Sequence, residues 1–446
     1  MVAMMGDLPE YAGNPFIARL PPIQSAAEWF GWLETLPRYE DDDRLRPAYE
    51  RIHFVARLLS YFDPNERHLA LAMWIDLMIR QGYLGRNPLT TSYYQRLKND
   101  HARIVRKDLS AETVPMTSTA SSVTLIGVSG MGKTISTTRI LHRYPETIVH
   151  IDPFHIVQVP WVRPECPYKG SVKQLCLSFF DQMDERLGTD FGRRHGGTRS
   201  SIDSVVLQMA AIANRHAVGL IVIDEIQHLM EARGTGRDEM LNFLVTLVNH
   251  CSTPVMLIGT PRALPLLQGA FRQARRASGL GSSSWDRMAR GATWDAFVTQ
   301  LWSCQWTREP SPLTDEIREV LYDESQGIVD VVIKLYLVAQ LRVISRSALR
   351  PGPERLDAAL LRRAARDDLA LIRPMLAPLR GGAPPPQATL PVAETLCRNE
   401  DAQDLRGIAQ GRDAYAALGV AKFITPPADD PLVVDPALER FRASDR

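Results

Sequence analysis

Gly127-Val128-Ser129-Gly130-Met131-Gly132-Lys133-Thr134 has the spacing G-x-x-x-x-G-K-[ST]. Small residues let successive backbone N–H groups curl around a polyphosphate. Gly127, Ser129, Gly130, Met131, Gly132 and the following Ile135 are therefore read as a nucleotide cradle. Lys133 brings positive charge to the outer phosphates, and the Thr134 hydroxyl is placed to ligate Mg²⁺. At average residue usage a chain of this length shows the pattern by accident roughly one time in a hundred. The flanks agree with it: Val123 to Ile126 predicts a short apolar strand leading in, and Thr134 to His142 a helix leading out. The expected ligands are ATP and Mg²⁺.

Leu220-Ile221-Val222-Ile223-Asp224-Glu225 supplies the second half of such a site. The apolar run predicts a strand buried on both faces. Two carboxylates end it at the C-terminal edge, where open α/β sheets bind ligands. Asp224 is assigned to Mg²⁺, directly or through water, and Glu225 to deprotonating the attacking water. Pro254 to Ile258 predicts the next strand, and Thr260 just beyond it is the candidate contact to the terminal phosphate. Arg275 and Arg276 precede a Gly/Ser-rich loop. They are candidate fingers for the nucleotide of a neighbouring copy, because a guanidinium fork donates to phosphate oxygens and keeps its charge. A solvated helix end is the alternative for both. Arg287 and Arg290 are the next candidates.

Around this centre the chain divides into four parts. Residues 1–112 read as an N-terminal helical extension for partner docking, with helix-period stretches at Ala26–Leu36, Tyr49–Phe62, Arg67–Gln81 and Thr91–Lys107. Ser110 to Ser122 reads as a linker. Residues 113–305 alternate strands (123–127, 147–152, 219–224, 254–259) with helices, which predicts an α/β core with a parallel sheet flanked by helices. Residues 306–350 read as a helical lid, and 351–446 as a partly flexible C-terminal tail that binds partners.

The 446 residues carry 52 basic and 51 acidic side chains, so any nucleic-acid surface is a local patch. Five scattered cysteines without C-x-x-C spacing argue against a zinc site and for a reducing compartment. No apolar run is long enough to cross a bilayer, and no basic-then-apolar leader is evident, so a soluble cytoplasmic protein is expected. Arg163, Lys169 and Lys173, interleaved with Trp161 and Tyr168, are the candidate contacts to a DNA backbone, and a plain solvated surface is the alternative. His228 follows the acidic pair and is read as structural.

The pairing of Gly-Val-Ser-Gly-Met-Gly-Lys-Thr with Ile-Val-Ile-Asp-Glu-Ile-Gln-His-Leu resembles the AAA+ ATPases that regulate transposition, TnsC above all and TniB more distantly. Cys166-Pro167-Tyr168-Lys169-Gly170-Ser171, Leu257-Ile258-Gly259-Thr260-Pro261, Glu324-Ser325-Gln326-Gly327-Ile328 and the segment from Gly82 to Pro88 support it. The resemblance covers residues 14 to about 345. It implies an AAA+ P-loop NTPase that assembles with ATP into a homo-oligomeric ring or filament, hexamer- or heptamer-like, on duplex DNA without sequence preference. It also implies a link between a target selector of the TnsD or TniQ type and a transposase that does the strand chemistry. The family places a nucleotide-contacting arginine in the lid after a Gly. Here Gly327-Ile328-Val329-Asp330 offers none, Lys334 is a weak substitute, and slow hydrolysis is expected. A STAND-type scaffold NTPase and a replication initiator or loader ATPase are the alternatives.

Overall fold

Apolar runs become the middle of a parallel sheet. The computed structural model describes residues 8–108, 120–168, 171–197, 200–231, 243, 253–264 and 282–380. Strand β1 (Ser122–Gly127) lies at the centre, wholly buried. Strand β5 (Val255–Gly259) pairs with it in parallel, Leu125 opposite Ile258, and β4 (Ile221–Ile223) pairs in parallel with β5, Val222 opposite Met256. All three are covered on both faces, which is why their sequences run apolar without alternation.

Two strands depart from the sequence reading. β6 (Ser282–Trp285) completes the order β4-β5-β1-β6 on the far side of β1. Ser-Ser-Ser-Trp carries no apolar pattern, so nothing in the sequence announced it. The stretch expected at 147–152 forms β2 (Ile148–His150), which pairs antiparallel with β3 (Ile156–Gln158) in a separate ribbon. The position beside β4 is taken by the next segment, through parallel bridges Val162–Ile221 and Glu165–Asp224.

Helices α7 (Val172–Leu187) and α9 (Ile202–Arg215) cover one face of the sheet, with Phe179, Phe180, Met209 and Ile221 in a common core. The expected linker over 110–122 ends inside the fold, because Ser121 and Ser122 are already buried and β1 starts at Ser122.

The N-terminal helices form near their expected places. Helix α2 (Ala26–Leu33) opens with a capping box: the Ser25 amide donates to Glu28 Oε2 at 2.7 Å, and the Glu28 amide to Ser25 Oγ at 3.3 Å. Helix α3 (Ala48–Val55) tightens into a 3-10 turn over Ala56–Ser60, where a single longer helix was expected. Helix α4 (Glu66–Leu84) runs on through Gly82. A Cβ on Gly82 would come within 2.4 Å of Pro254 Cγ, so the glycine permits a helix–strand approach instead of breaking the helix. Just after it, the Tyr83 hydroxyl donates to Ala217 O at 2.7 Å and Arg86 Nη1 to Val218 O at 2.6 Å.

The C-terminal described helices are α10 (Ala292–Ser303), α11 (Asp315–Ser325), α12 (Val329–Leu349), α13 (Ala358–Asp367) and α14 (Arg373–Arg380). They share one core that also takes in Val55 and Leu58 from the N-terminal extension and Met131 from the phosphate loop. The division at residue 350 is not seen in the packing: Leu356, Leu360, Leu361 and Leu376 are buried in that same core. A buried ion pair ties the ends of this unit together. Arg51 Nη1 and Nη2 reach the Glu354 carboxylate at 2.5 and 2.6 Å, and Nη1 also donates to Trp306 O at 2.8 Å. The remainder of the C-terminal tail, 381–446, lies outside the described residues.

Candidate nucleotide site

The phosphate loop is shaped by three glycines. Gly127 sits opposite Trp285, where a Cβ would come 2.3 Å from the Trp285 carbonyl. Gly130 and Gly132 have φ of +81° and +82°, the left-handed region that side chains with a Cβ disfavour. Helix α6 (Lys133–Leu141) follows with Gly132 as its N-cap, and no side chain caps it. Its first N–H groups are thus left for an anion.

Lys133 is nearly buried and donates to the Gly127 and Val128 carbonyls at 2.7 and 2.9 Å. Burial pulls its pKa below the usual lysine value, and the Glu225 and Asp224 charges oppose that shift. Thr134 Oγ1 donates to Asp224 Oδ2 at 2.7 Å. The two oxygens assigned to Mg²⁺ therefore meet, and hard oxygen donors of this kind suit that ion. Met131 contributes only main chain to the cradle, since its side chain is buried in the lid core. Ile135 projects from the first turn of α6 and is 56% exposed.

Beyond β4 the chain turns sharply. Glu225 takes φ +57°, and its amide donates to Asp224 Oδ1 at 2.8 Å. The Glu225 carboxylate accepts a hydrogen bond from Gln227 Nε2, and Gln227 Oε1 accepts from the Thr260 amide at 3.0 Å. The Thr260 hydroxyl is buried without a hydrogen-bond partner among the described residues. A buried orphan hydroxyl at this edge fits a phosphate oxygen or a water that the ligand brings. Lys133, Thr134, Asp224, Glu225 and Thr260 are thus gathered at one sheet edge.

Above the loop sits the start of α12. The Asp330 amide donates to Gly130 O at 3.1 Å, and Ile328 packs against Gly130. Lys334 Nζ is paired with Asp330 at 2.7 Å, so the one lid cation considered as a substitute sensor is already engaged.

Two basic residues are placed otherwise than expected. Arg163 faces the edge that holds Asp224 instead of an outer surface: Nη1 donates to Thr138 Oγ1 at 2.9 Å and lies 3.9 Å from Asp224 Oδ2. The bridge from Glu165 to Asp224 puts this segment beside β4 and draws Arg163 toward the acidic edge. Lys173 Nζ donates to the Gly197 and Ser200 carbonyls, both at 2.9 Å, and ties the first turn of α7 to the loop before α9. Trp161 is buried under the Arg186 guanidinium at 4.2 Å and is no part of an exposed stripe. Tyr168 is exposed and packs edge-on against His228. Arg287 donates to Gln326 Oε1 and Leu379 O, and Arg290 pairs with Glu319 and Asp323, so both brace the lid helices. Lys169, Arg275 and Arg276 lie outside the described residues.

Residues 116–267 match a family model described as an AAA domain. The fold is that of an AAA+ P-loop NTPase. A search of curated proteins gave no match. Similar solved structures include the ORC2 protein of Aeropyrum pernix in its ADP form, at 12% identity over 65% of this chain and 75% of that one, TM-score 0.37. A Walker-type ATPase of Pyrococcus abyssi gives 14% identity over 77% and 88%, TM-score 0.37. A second ORC2 structure, of ADPNP–ADP complexes, gives 11% over 79% and 84%, TM-score 0.34. Likeness at that level says nothing of activity or partners. Sequence reading missed Gln227 and the inward turn of Arg163. A polar residue two places after the acidic pair was the signal for the first; the second depended on which strand lies beside β4.

Among the described residues no helix is long and apolar enough to cross a membrane, and no cluster of three metal-binding side chains occurs.

Proposed function

We propose that this AAA+ NTPase is an ATP- and Mg²⁺-dependent regulator of DNA transposition. It assembles with ATP on duplex DNA and links a target selector of the TnsD or TniQ type to a transposase. The ATPase half is carried by the 2.7 Å contact between Thr134 and Asp224 beside the orphan Thr260 hydroxyl. The transposition half is supported by the stretches flanking the nucleotide motifs, from Gly82 to Pro88 and from Cys166 to Ser171, which resemble TnsC.

In this mechanism the α6 N-terminus and Lys133 hold the β- and γ-phosphates, with Lys133 giving up its two loop carbonyls. Thr134 and Asp224 would hold Mg²⁺, which supplies charge neutralisation. Glu225 takes a proton from water as the water oxygen bonds to the γ-phosphorus. The bond to the bridging oxygen breaks, and ADP leaves with its electron pair. The Thr260 hydroxyl donates to the terminal phosphate. Asp330 and Lys334, in place of an arginine, stand over the loop, so the closing positive charge is assigned to Arg275 or Arg276 of a neighbouring copy. A site completed only at an interface converts nucleotide binding into assembly. With Arg163 and Lys173 engaged internally, the DNA backbone contact is assigned to Lys169 and the exposed ring of Tyr168. Hydrolysis then releases the assembly.

The test is duplex binding by fluorescence anisotropy with and without a non-hydrolysable ATP analogue. Binding that needs the analogue, is lost in Lys133→Ala and flattens with salt by about one unit of slope in Lys169→Ala supports the reading. A chain that hydrolyses ATP but ignores duplex at low salt removes the DNA role. Transposition assays with a candidate transposase then separate a transposition regulator from a replication loader.

A further inference from the structure

We propose that Gln227 is a positioning residue that fixes the water-activating glutamate to the phosphate sensor. The inference rests on the ATPase reading above and names a part of that site which the nucleotide motifs do not contain. One side-chain amide spans the gap between two strand ends: Nε2 donates to the Glu225 carboxylate, and Oε1 accepts from the Thr260 amide at 3.0 Å. The primary amide supplies both a donor and an acceptor, whereas a carboxylate has no donor and a lysine no acceptor.

The surroundings hold that amide in place. Ile226 is fully buried and anchors the turn on which Gln227 sits. Gly259, the residue before Thr260, leaves room for the approach: a Cβ there would be 2.7 Å from Ile226 Cγ1 and 3.0 Å from Gln227 Oε1. Glu225 is in the left-handed region, a conformation disfavoured for a residue with a Cβ that persists where neighbours over-determine it. Among the described residues its carboxylate accepts a side-chain hydrogen bond from Gln227 alone. The Thr260 main chain, held by the same amide, carries the orphan hydroxyl that meets the terminal phosphate. Base and sensor thus move as one piece, and the loss of the γ-phosphate at Thr260 is felt at Glu225 one hydrogen-bonded link away.

The role is tested by kinetics in the full-length chain. Gln227→Met keeps the length and removes both bonds. Gln227→Glu keeps the acceptor for Thr260 and removes the donor to Glu225. We expect kcat for ATP to fall at least tenfold in both, while the Kd for a fluorescent ATP analogue stays within about twofold, because the phosphate cradle is untouched. The decisive measurement is the double variant with Glu225→Gln. If Gln227 acts through Glu225, Gln227→Met costs nothing further in that background. Additive losses, or a Gln227→Met chain with wild-type kcat, overturn the inference. Should Gln227→Met fail to fold, Gln227→Glu carries the same comparison, because it retains the bond to Thr260. A wild-type chain without ATPase activity overturns the parent reading instead, which keeps the two failures apart.

Discussion

Replacing Arg51 by Met should be among the most damaging single changes outside the nucleotide site. Arg51 is fully buried and donates to the Arg46 and Trp306 carbonyls as well as to both oxygens of Glu354. Methionine fills much of the volume and supplies none of these donors. Glu354 keeps only the Ser347 hydroxyl and the Arg308 amide as partners. Its carboxyl group is strongly desolvated, and hydrogen bonds from Arg51, Ser347 and Arg308 outweigh that burial to hold its pKa below the usual glutamate value. Stranding such a carboxylate costs about 3–5 kcal/mol, whereas exchanging both partners for apolar groups is often neutral. For a unit of this size that is a fall in Tm of roughly 5 °C. Differential scanning fluorimetry of Arg51→Met, Glu354→Met and the double variant reads it out. The double variant should recover most of the loss, with a coupling of about 2 kcal/mol or more. A single variant within 1 kcal/mol of wild type would refute the reasoning.

Other outcomes follow from the same geometry. Glu225→Gln should bind ATP normally and lose turnover by about 10² or more, trapping the protein on duplex; turnover at the wild-type rate would remove Glu225 as the base. His68 is enclosed by Phe62 and Trp285, and burial together with the nearby Arg67 charge lowers its pKa to about 3. Below about pH 6.5 the unfolded chain takes up a proton that the folded chain refuses until about pH 3. Stability is therefore lost as pH falls through that window, by about 2 kcal/mol at pH 5. His68→Asn should show less of this acid loss in urea unfolding at pH 7 and pH 5; an identical pH dependence would argue against it. Gly82→Ala gains about 1 kcal/mol of helix propensity but drives a Cβ into the Pro254 ring, and the net loss should be about 1–2 kcal/mol. A more stable Gly82→Ala chain would show that the helix can slide away from β5.

What the sequence disclosed was whatever physics writes locally. The Gly-Lys-Thr loop, the apolar strand ending in Asp224 and Glu225, and the next strand ending at Thr260 each carry their own pattern, and the fold brings them to one edge. The helices of the N-terminal extension were legible by period, though the third runs past its expected end at Gln81, because the reason for Gly82, the ring of Pro254, is 172 residues away by the numbering. Strand β6 was hidden because Ser282 to Trp285 is held by pairing with β1, not by its own composition. Arg163 and Lys173 look alike in the sequence, as cations on a loop. Their partners, the Asp224 carboxylate and two loop carbonyls, are set by tertiary neighbours. The burial of Leu356 to Leu376 against the lid was out of reach for the same reason.

The N-terminal helices touch the molecule on both sides of the cleft: Tyr83 and Arg86 hold the segment leading into β4, while Arg51 and Leu58 are embedded among the lid helices. They act as a strut. On the function proposed above, a protein docked on them would pull on the floor and the roof of the nucleotide cleft together, giving a binding event some distance from the chemistry a stiff mechanical route to it.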